Sequence, residues 1–106
     1  MTEKPPEADE RERLEKLFQE GRRALDEQRA EDAVEIFESI VRSGFSNATL
    51  MGTYGNALRL AQRPQEAVRA CMNAVEEAPE VLGWQLNLGA AELACGRWER
   101  AVSVYV

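Results

Sequence analysis

Apolar residues recur along this chain every third or fourth position, the rhythm of one face of an α-helix. In the middle of the sequence Leu50, Met51, Tyr54, Leu58 and Ala61 keep that spacing, and Ala67, Val68, Cys71, Met72 and Val75 resume it after a break. The break reads AQRPQEA. Its Pro64 suits the first turn of a new helix, where a missing N–H costs nothing. The following EEAPE ends that helix at Pro79, because a proline ring clashes with the preceding turn. Read along the whole chain, the pattern predicts six helices, at about 9–27, 31–43, 48–61, 64–77, 81–95 and 97–106. Asp9 and Glu12 have the spacing of a capping box for the first helix. Residues 1–8, with two prolines and mixed charge, are expected to be a disordered tail.

The pattern also repeats. Gly21, Gly55 and Gly89 fall 34 residues apart, and so do Ala33, Ala67 and Ala101, and Phe37, Cys71 and Tyr105. Three columns in register over three copies define a repeat of two helices joined by a short turn. Glycine inside a helix costs roughly 0.5–1 kcal/mol relative to alanine, so its return at one register implies a close helix–helix approach that offsets the cost. Gly55 on one helix and Ala67 on the next would let the backbones meet, with Tyr54 and Cys71 filling the space beside them.

This arrangement resembles the tetratricopeptide repeat family, whose 34-residue helical hairpins carry a glycine, an alanine, an aromatic and often a proline at these places. The resemblance implies an all-α fold, a right-handed superhelical array of about 2.7 hairpins, with repeats at 14–47, 48–81 and an incomplete 82–106, so that 9–106 form one domain. The second repeat matches best, through Tyr54, Gly55, Leu58, Ala67, Ala74 and Pro79, with Cys71 in place of the aromatic. The third keeps Leu88, Gly89, Ala101 and Tyr105, and its GRWERA is similar to the family's turn, with Trp98 as the aromatic. It departs at Glu92, where a large apolar residue is usual. The first departs most: Glu20 replaces an apolar residue, Ala24 an aromatic and Phe45 the proline, so a different helix angle is expected there.

On this register the final AVSVYV begins a second helix that halts before its hairpin is complete. Leu93, Val102 and Tyr105, together with Leu88, would then lack the cover a neighbouring hairpin gives. The expectation is a piece of a longer array whose next helix covers them; the alternative is a second chain, as in a homodimer, using them as an oligomer interface.

Arrays of this family bind proteins, and the resemblance implies a concave groove lined by the first helix of each hairpin. Carried over position by position, the groove takes Glu15, Phe18, Gln19, Arg22, Leu25 and Asp26 from the first repeat. The second gives Thr49, Gly52, Thr53, Asn56, Arg59 and Leu60, and the third Gly83, Leu86, Asn87, Ala90, Leu93 and Ala94. Small residues such as Gly52, Thr53, Gly83 and Ala90 would leave room for a ligand backbone. Asn56 and Asn87 can both donate and accept, which suits the peptide groups of an extended chain. Phe18, Leu60, Leu86 and Leu93 would supply apolar pockets. Trp84, beside the groove, is expected to pack between repeats.

Composition narrows the choice of partner. The chain has 106 residues, of which 44% are hydrophobic and 30% charged, an ordinary globular balance for one domain. The formal charge of −6 argues against nucleic acid and against anionic membrane. Residues 1–47 hold 13 acidic side chains against 8 basic ones, and residues 48–106 hold 6 against 5. No apolar run is long enough for a signal peptide or a membrane span, so a cytoplasmic location is expected.

Catalytic chemistry finds little support. Histidine is absent, and Cys71 and Cys95 lie 24 apart with no CxxC, so neither a metal site nor a cofactor is expected. No phosphate-binding glycine loop or GxSxG is present. Cys71 falls at a core position, and Cys95 near a helix C-terminus, where the dipole disfavours a thiolate. The expected function is therefore a non-enzymatic protein-interaction module, acting as a scaffold or adaptor. An acidic first helix ahead of about three repeats also resembles the chaperones of type III secretion translocators, which hold an extended cargo segment; that, or a non-catalytic part of a larger enzyme, is the alternative. Family members that hold the acidic C-terminus of heat-shock chaperones use a clamp of lysine, asparagine and arginine. The clamp positions are occupied here by Phe18, Arg22, Thr53, Gly83 and Asn87. With one basic residue among them, that activity is not expected.

Overall fold

The computed structural model describes residues 6–96, all of them helix, turn or short connection. Five α-helices follow one another: α1 (Pro6–Asp26), α2 (Ala30–Arg42), α3 (Ala48–Leu60), α4 (Pro64–Glu77) and α5 (Leu82–Ala94). The sixth helix expected from the pattern, with Trp98, Ala101, Val102 and Tyr105, lies outside the described residues. The other boundaries agree with the spacing to within one residue, except at the start. There α1 already includes Pro6, the first described residue, and so takes in part of the expected tail. The residues themselves explain the extension. Proline is at home in a first turn, acidic Asp9 and Glu10 suit the positive end of the helix dipole, and Arg13 pairs with Glu10 at 2.7 Å. Asp9 consequently sits inside the helix and does not cap it.

Each hairpin closes in the same way. Gln28 and Gln62, 34 residues apart, both adopt left-handed backbone (φ 62° and 64°), and Gly96 does so at the next interval (φ 78°). In the first turn Gln28 N–H donates to the Leu25 carbonyl at 3.0 Å and Arg29 N–H to the Ala24 carbonyl at 2.7 Å. In the second, Gln62 N–H donates to Arg59 O at 3.0 Å and Arg63 N–H to Leu58 O at 2.8 Å. These paired bonds close a helix by a Schellman turn and satisfy carbonyls that would otherwise have no partner. The arginine after each glutamine opens the next helix. Arg29 reaches Asp32 at 2.9 Å and Arg63 reaches Glu66 at 2.6 Å, both three residues on. The connection between hairpins differs: Asn47 caps α3, its Oδ1 accepting from Leu50 N–H at 2.8 Å.

The repeated glycines are contact points. A Cβ at Gly21 would lie 2.5 Å from the Phe37 ring, and one at Gly55 would run into Cys71 Sγ and stand 3.3 Å from the Ala67 carbonyl. Gly, Ala and the larger residue thus meet as the repeat pattern requires, and the first hairpin makes the same contact as the second despite its departures at Glu20 and Ala24. Phe37, Cys71, Ala33 and Ala67 are fully buried, in one core with Ala24, Val34, Ile40, Leu50, Leu58 and Ala91. Burying one side chain of the size of Phe37 or Ile40 is worth about 1.5–3 kcal/mol. Phe18 packs its ring on Phe37, centroids 5.6 Å apart. Glu92, the departure in the third repeat, is buried as well.

Consecutive helices pack in sequence, and the longer-range contacts fall on one side only. α1 touches α3 and α3 packs on α5, whereas α2 and α4 do not approach each other. The odd-numbered helices therefore form a continuous run, with the even-numbered helices packed along it and apart from one another.

Candidate functional site

Two regions of the odd-numbered run are open. The first is a cleft of about 1140 Å³ between α1, from Glu10 to Arg23, and the start of α3. Leu14, Phe18, Ile40, Phe45 and Leu50 supply its apolar lining, and Glu15, Gln19 and Thr49 its edge. Phe18 therefore serves both core and cleft. Phe45, which stands where the repeat pattern has a proline, is 43% exposed at this mouth. It was not among the expected groove residues; an aromatic in place of the hairpin's proline was the one sign of it in the sequence.

The second region is the exposed face of α3 and α5. Leu60, Leu86 and Leu93 are 48%, 42% and 49% exposed, and Leu82, one turn before Leu86, is open too. Thr53, Asn56, Arg59, Asn87 and Ala90 are half-buried between them in sequence register, and Arg22 on α1 is exposed. Each of the two helices carries a single charged residue, Arg59 on α3 and Glu92 on α5. With Glu92 buried, Arg59 is the only charge these helices bring toward solvent. Its Nη2 donates to Asn56 Oδ1 at 2.7 Å.

Two groove residues have work of their own. Asn87 Nδ2 donates to the Gly52 carbonyl at 3.3 Å, tying α5 to α3. The indole of Trp84 lies on Gly52, where a Cβ would collide with its six-membered ring. The space that Gly52 leaves is thus filled by Trp84 and is not room for a ligand; the tryptophan packs between repeats, as expected. Gly83, in contrast, has open space around it.

Away from these faces, Glu38 on α2 gathers groups from its own helix, from α3 and from the turn before α4. Arg42 pairs with it at 2.6 Å, Arg63 approaches to 4.0 Å and the Tyr54 hydroxyl donates at 3.5 Å. Burial first and the Glu38 carboxylate second hold the Tyr54 phenol above its ordinary pKa. Burial pushes the Cys71 thiol up from 9.0 to about 11, against the opposing pull of the Arg59 charge. A neutral thiol at a packing contact is a small apolar side chain, not a nucleophile. Among the described residues no three acidic or cysteine side chains converge to hold a metal ion, and no helix is long and apolar enough to cross a membrane. Val102 and Tyr105, expected beside Leu93 at an interface, lie outside the described residues. No family model matches the sequence, and no curated protein matches it.

Proposed function

We propose that this chain is a tetratricopeptide-type interaction module of about 2.7 hairpins that holds an extended segment of a partner protein against α1, α3 and α5. The observation that carries the reading is the repeated hairpin: Gly21 on Phe37 and Gly55 on Cys71, 34 residues apart, with matching left-handed turns at Gln28 and Gln62. Contacts along the odd-numbered helices alone, with α2 and α4 apart, favour curvature toward the odd-numbered side. That side would be the inner face of a right-handed superhelix, and it is where Leu60, Leu86 and Leu93 are exposed.

Nothing in this reading calls for catalysis or a cofactor. The partner is a protein or peptide, bound by apolar side chains and by the amides of Asn56 and Asn87.

The test is selection from a random-peptide display library on the folded chain. Peptides should be enriched, and Leu86→Asp or Leu93→Asp should abolish their binding, while Met72→Asp on α4 leaves it unchanged. These three side chains are all exposed, so helicity should be retained in each variant. Failure to enrich any peptide, or loss of binding through Met72 and not through the leucines, would refute the proposal.

A further inference from the structure

Each short connection reverses the chain, so α1, α3 and α5 begin along one edge of the array, where α2 and α4 end. The two connections between hairpins, 43–47 and 78–81, lie on that edge. Trp84 on Gly52 brings the starts of α3 and α5 together, and Gln85 Nε2 donates to the Pro79 carbonyl at 2.7 Å, which holds the second connection in place. Three large apolar side chains are exposed here: Phe45 at the mouth of the cleft, Val81, and Leu82 at 63%.

The hairpins do not need these residues. Phe45 lies 34 positions before Pro79, so it occupies the place of the proline that ends the other hairpin. Val81 lies 34 positions after Asn47, yet Asn47 caps α3 with its side chain and Val81 gives α5 no such cap. Local structure thus gives up a turn former and a helix cap, and in exchange the edge gains exposed apolar surface next to a cleft lined by Leu14, Ile40 and Leu50.

Charge selects the occupant. Glu76 and Glu77 close α4 and Glu80 follows it, all three exposed, with no basic residue in that last turn. Carboxylates repel one another there and face the negative end of the helix dipole. No lysine or arginine occurs anywhere from 70 to 96. Arg42, which ends α2 on the same edge, is taken by Glu38. A second copy of a chain with charge −6 would meet this edge with like charge, and nucleic acid or an anionic bilayer would be repelled more strongly. Packed helices stand about 8–10 Å apart, close to two turns of a helix laid across their ends, so its side chains seven apart would reach successive junctions.

We infer that this edge docks a basic amphipathic helix of a partner protein. Its apolar side chains enter the cleft beside Phe45 and settle on Val81 and Leu82, while its lysines or arginines face Glu76, Glu77 and Glu80. Leu82 lies where the edge meets the exposed face of α3 and α5, but the inference does not rest on peptide binding to that face.

The probe is a labelled leucine–lysine peptide of about 18 residues with one apolar face, titrated with the whole chain by fluorescence anisotropy. It should bind at least about tenfold more tightly than a shuffled peptide of the same composition or a leucine–glutamate counterpart. Phe45→Ser and Leu82→Ser should each weaken it about tenfold, the scale of one buried apolar side chain. Changing Glu76, Glu77 and Glu80 together to glutamine should weaken binding and flatten its dependence on salt. Glu31→Gln with Glu35→Gln, on the exposed side of α2, should leave the affinity unchanged. All these side chains are exposed, and circular dichroism of each variant confirms that the helices remain. Equal binding of the shuffled peptide, or an affinity that neither Phe45→Ser nor Leu82→Ser alters, would overturn the inference. So would a dimer of the free chain, seen by light scattering, that Leu82→Ser dissolves, because the occupant would then be a second copy.

Discussion

At the scale of single residues, the fold depends on a few places where no Cβ fits. Gly55 is one: its neighbours are a buried thiol and backbone atoms, neither of which can swing aside. Gly55→Ala should destabilise the domain by about 1–3 kcal/mol through overpacking, read as a lower urea midpoint. An unchanged midpoint would contradict the contact. Cys71, on the other side of that contact, has a pH signature. Its folded thiol binds a proton more tightly than the unfolded one, so the folded state is favoured fully below pH about 9. As pH rises from about 9 to about 11, that advantage of about 3 kcal/mol is lost. Tyr54, raised by burial and by Glu38, pulls in the same direction. Urea unfolding at pH 8 and pH 10.5 should therefore show a fall in stability, and the fall should be smaller in Cys71→Ala. Equal falls in both proteins would mean that another group titrates. The glycine–cysteine contact was legible in the sequence because it returns in three columns. The thiol's protonation was not, since it depends on how completely Gly55, Ala67 and their neighbours exclude water.

At the scale of helices and turns, the same closing geometry recurs at Gln28 and Gln62, and it carries strain. A non-glycine residue in left-handed backbone costs roughly 1–2 kcal/mol, and the third copy of the turn has glycine there. Gln62→Gly should accordingly stabilise the domain, by about 0.5–1 kcal/mol once the extra freedom of the unfolded chain is subtracted. A lower melting temperature would show that the glutamine side chain contributes more than its backbone costs. Asn47→Ala should cost about 1 kcal/mol by removing the cap of α3, checked by the same thermal unfolding.

The spacing of apolar residues found all five described helices, because each buries a stripe of period near 3.6. It missed the turns. Glutamine is not a residue that announces left-handed backbone, so a recurring geometry was hidden behind an ordinary side chain. It misplaced the start of α1 for a related reason: a charged, proline-bearing stretch reads as tail, although Pro6 and the acids after it are good first-turn residues and Arg13 pairs with Glu10. Of the face on α3 and α5, the register supplied the residues, but it could not tell that Trp84 closes the space over Gly52. Two residues 32 apart in sequence meet there, and only packing brings the Trp84 indole into the space that Gly52 leaves.

For the molecule as a whole, each hairpin leans on its neighbour and on little else. α1 and α2 reach α3 but make no contact with α4 or α5. Opening should therefore spread from one end without cooperating across the chain. Gly21→Ala, which strikes the Phe37 ring, should speed hydrogen exchange in α1 and α2 while α4 and the second half of α3 keep their protection. Uniform loss across all five helices would show a single cooperative core in place of a linear array. The arrangement of charge suits the proposed role. α1 is charged along most of its length, whereas α3 and α5 present leucines and one arginine, so the surface offered for binding is set apart from the surface offered to water.

The most direct test of that role is the footprint of a library-selected peptide, mapped by backbone and side-chain amide shifts in an NMR titration of the chain. Shifts concentrated on α3 and α5, including the side-chain amides of Asn56 and Asn87 and the backbone around Arg59, Leu86 and Leu93, are the predicted result. Shifts confined to α2 and α4, or none at saturating peptide, would contradict a binding face on the odd-numbered helices.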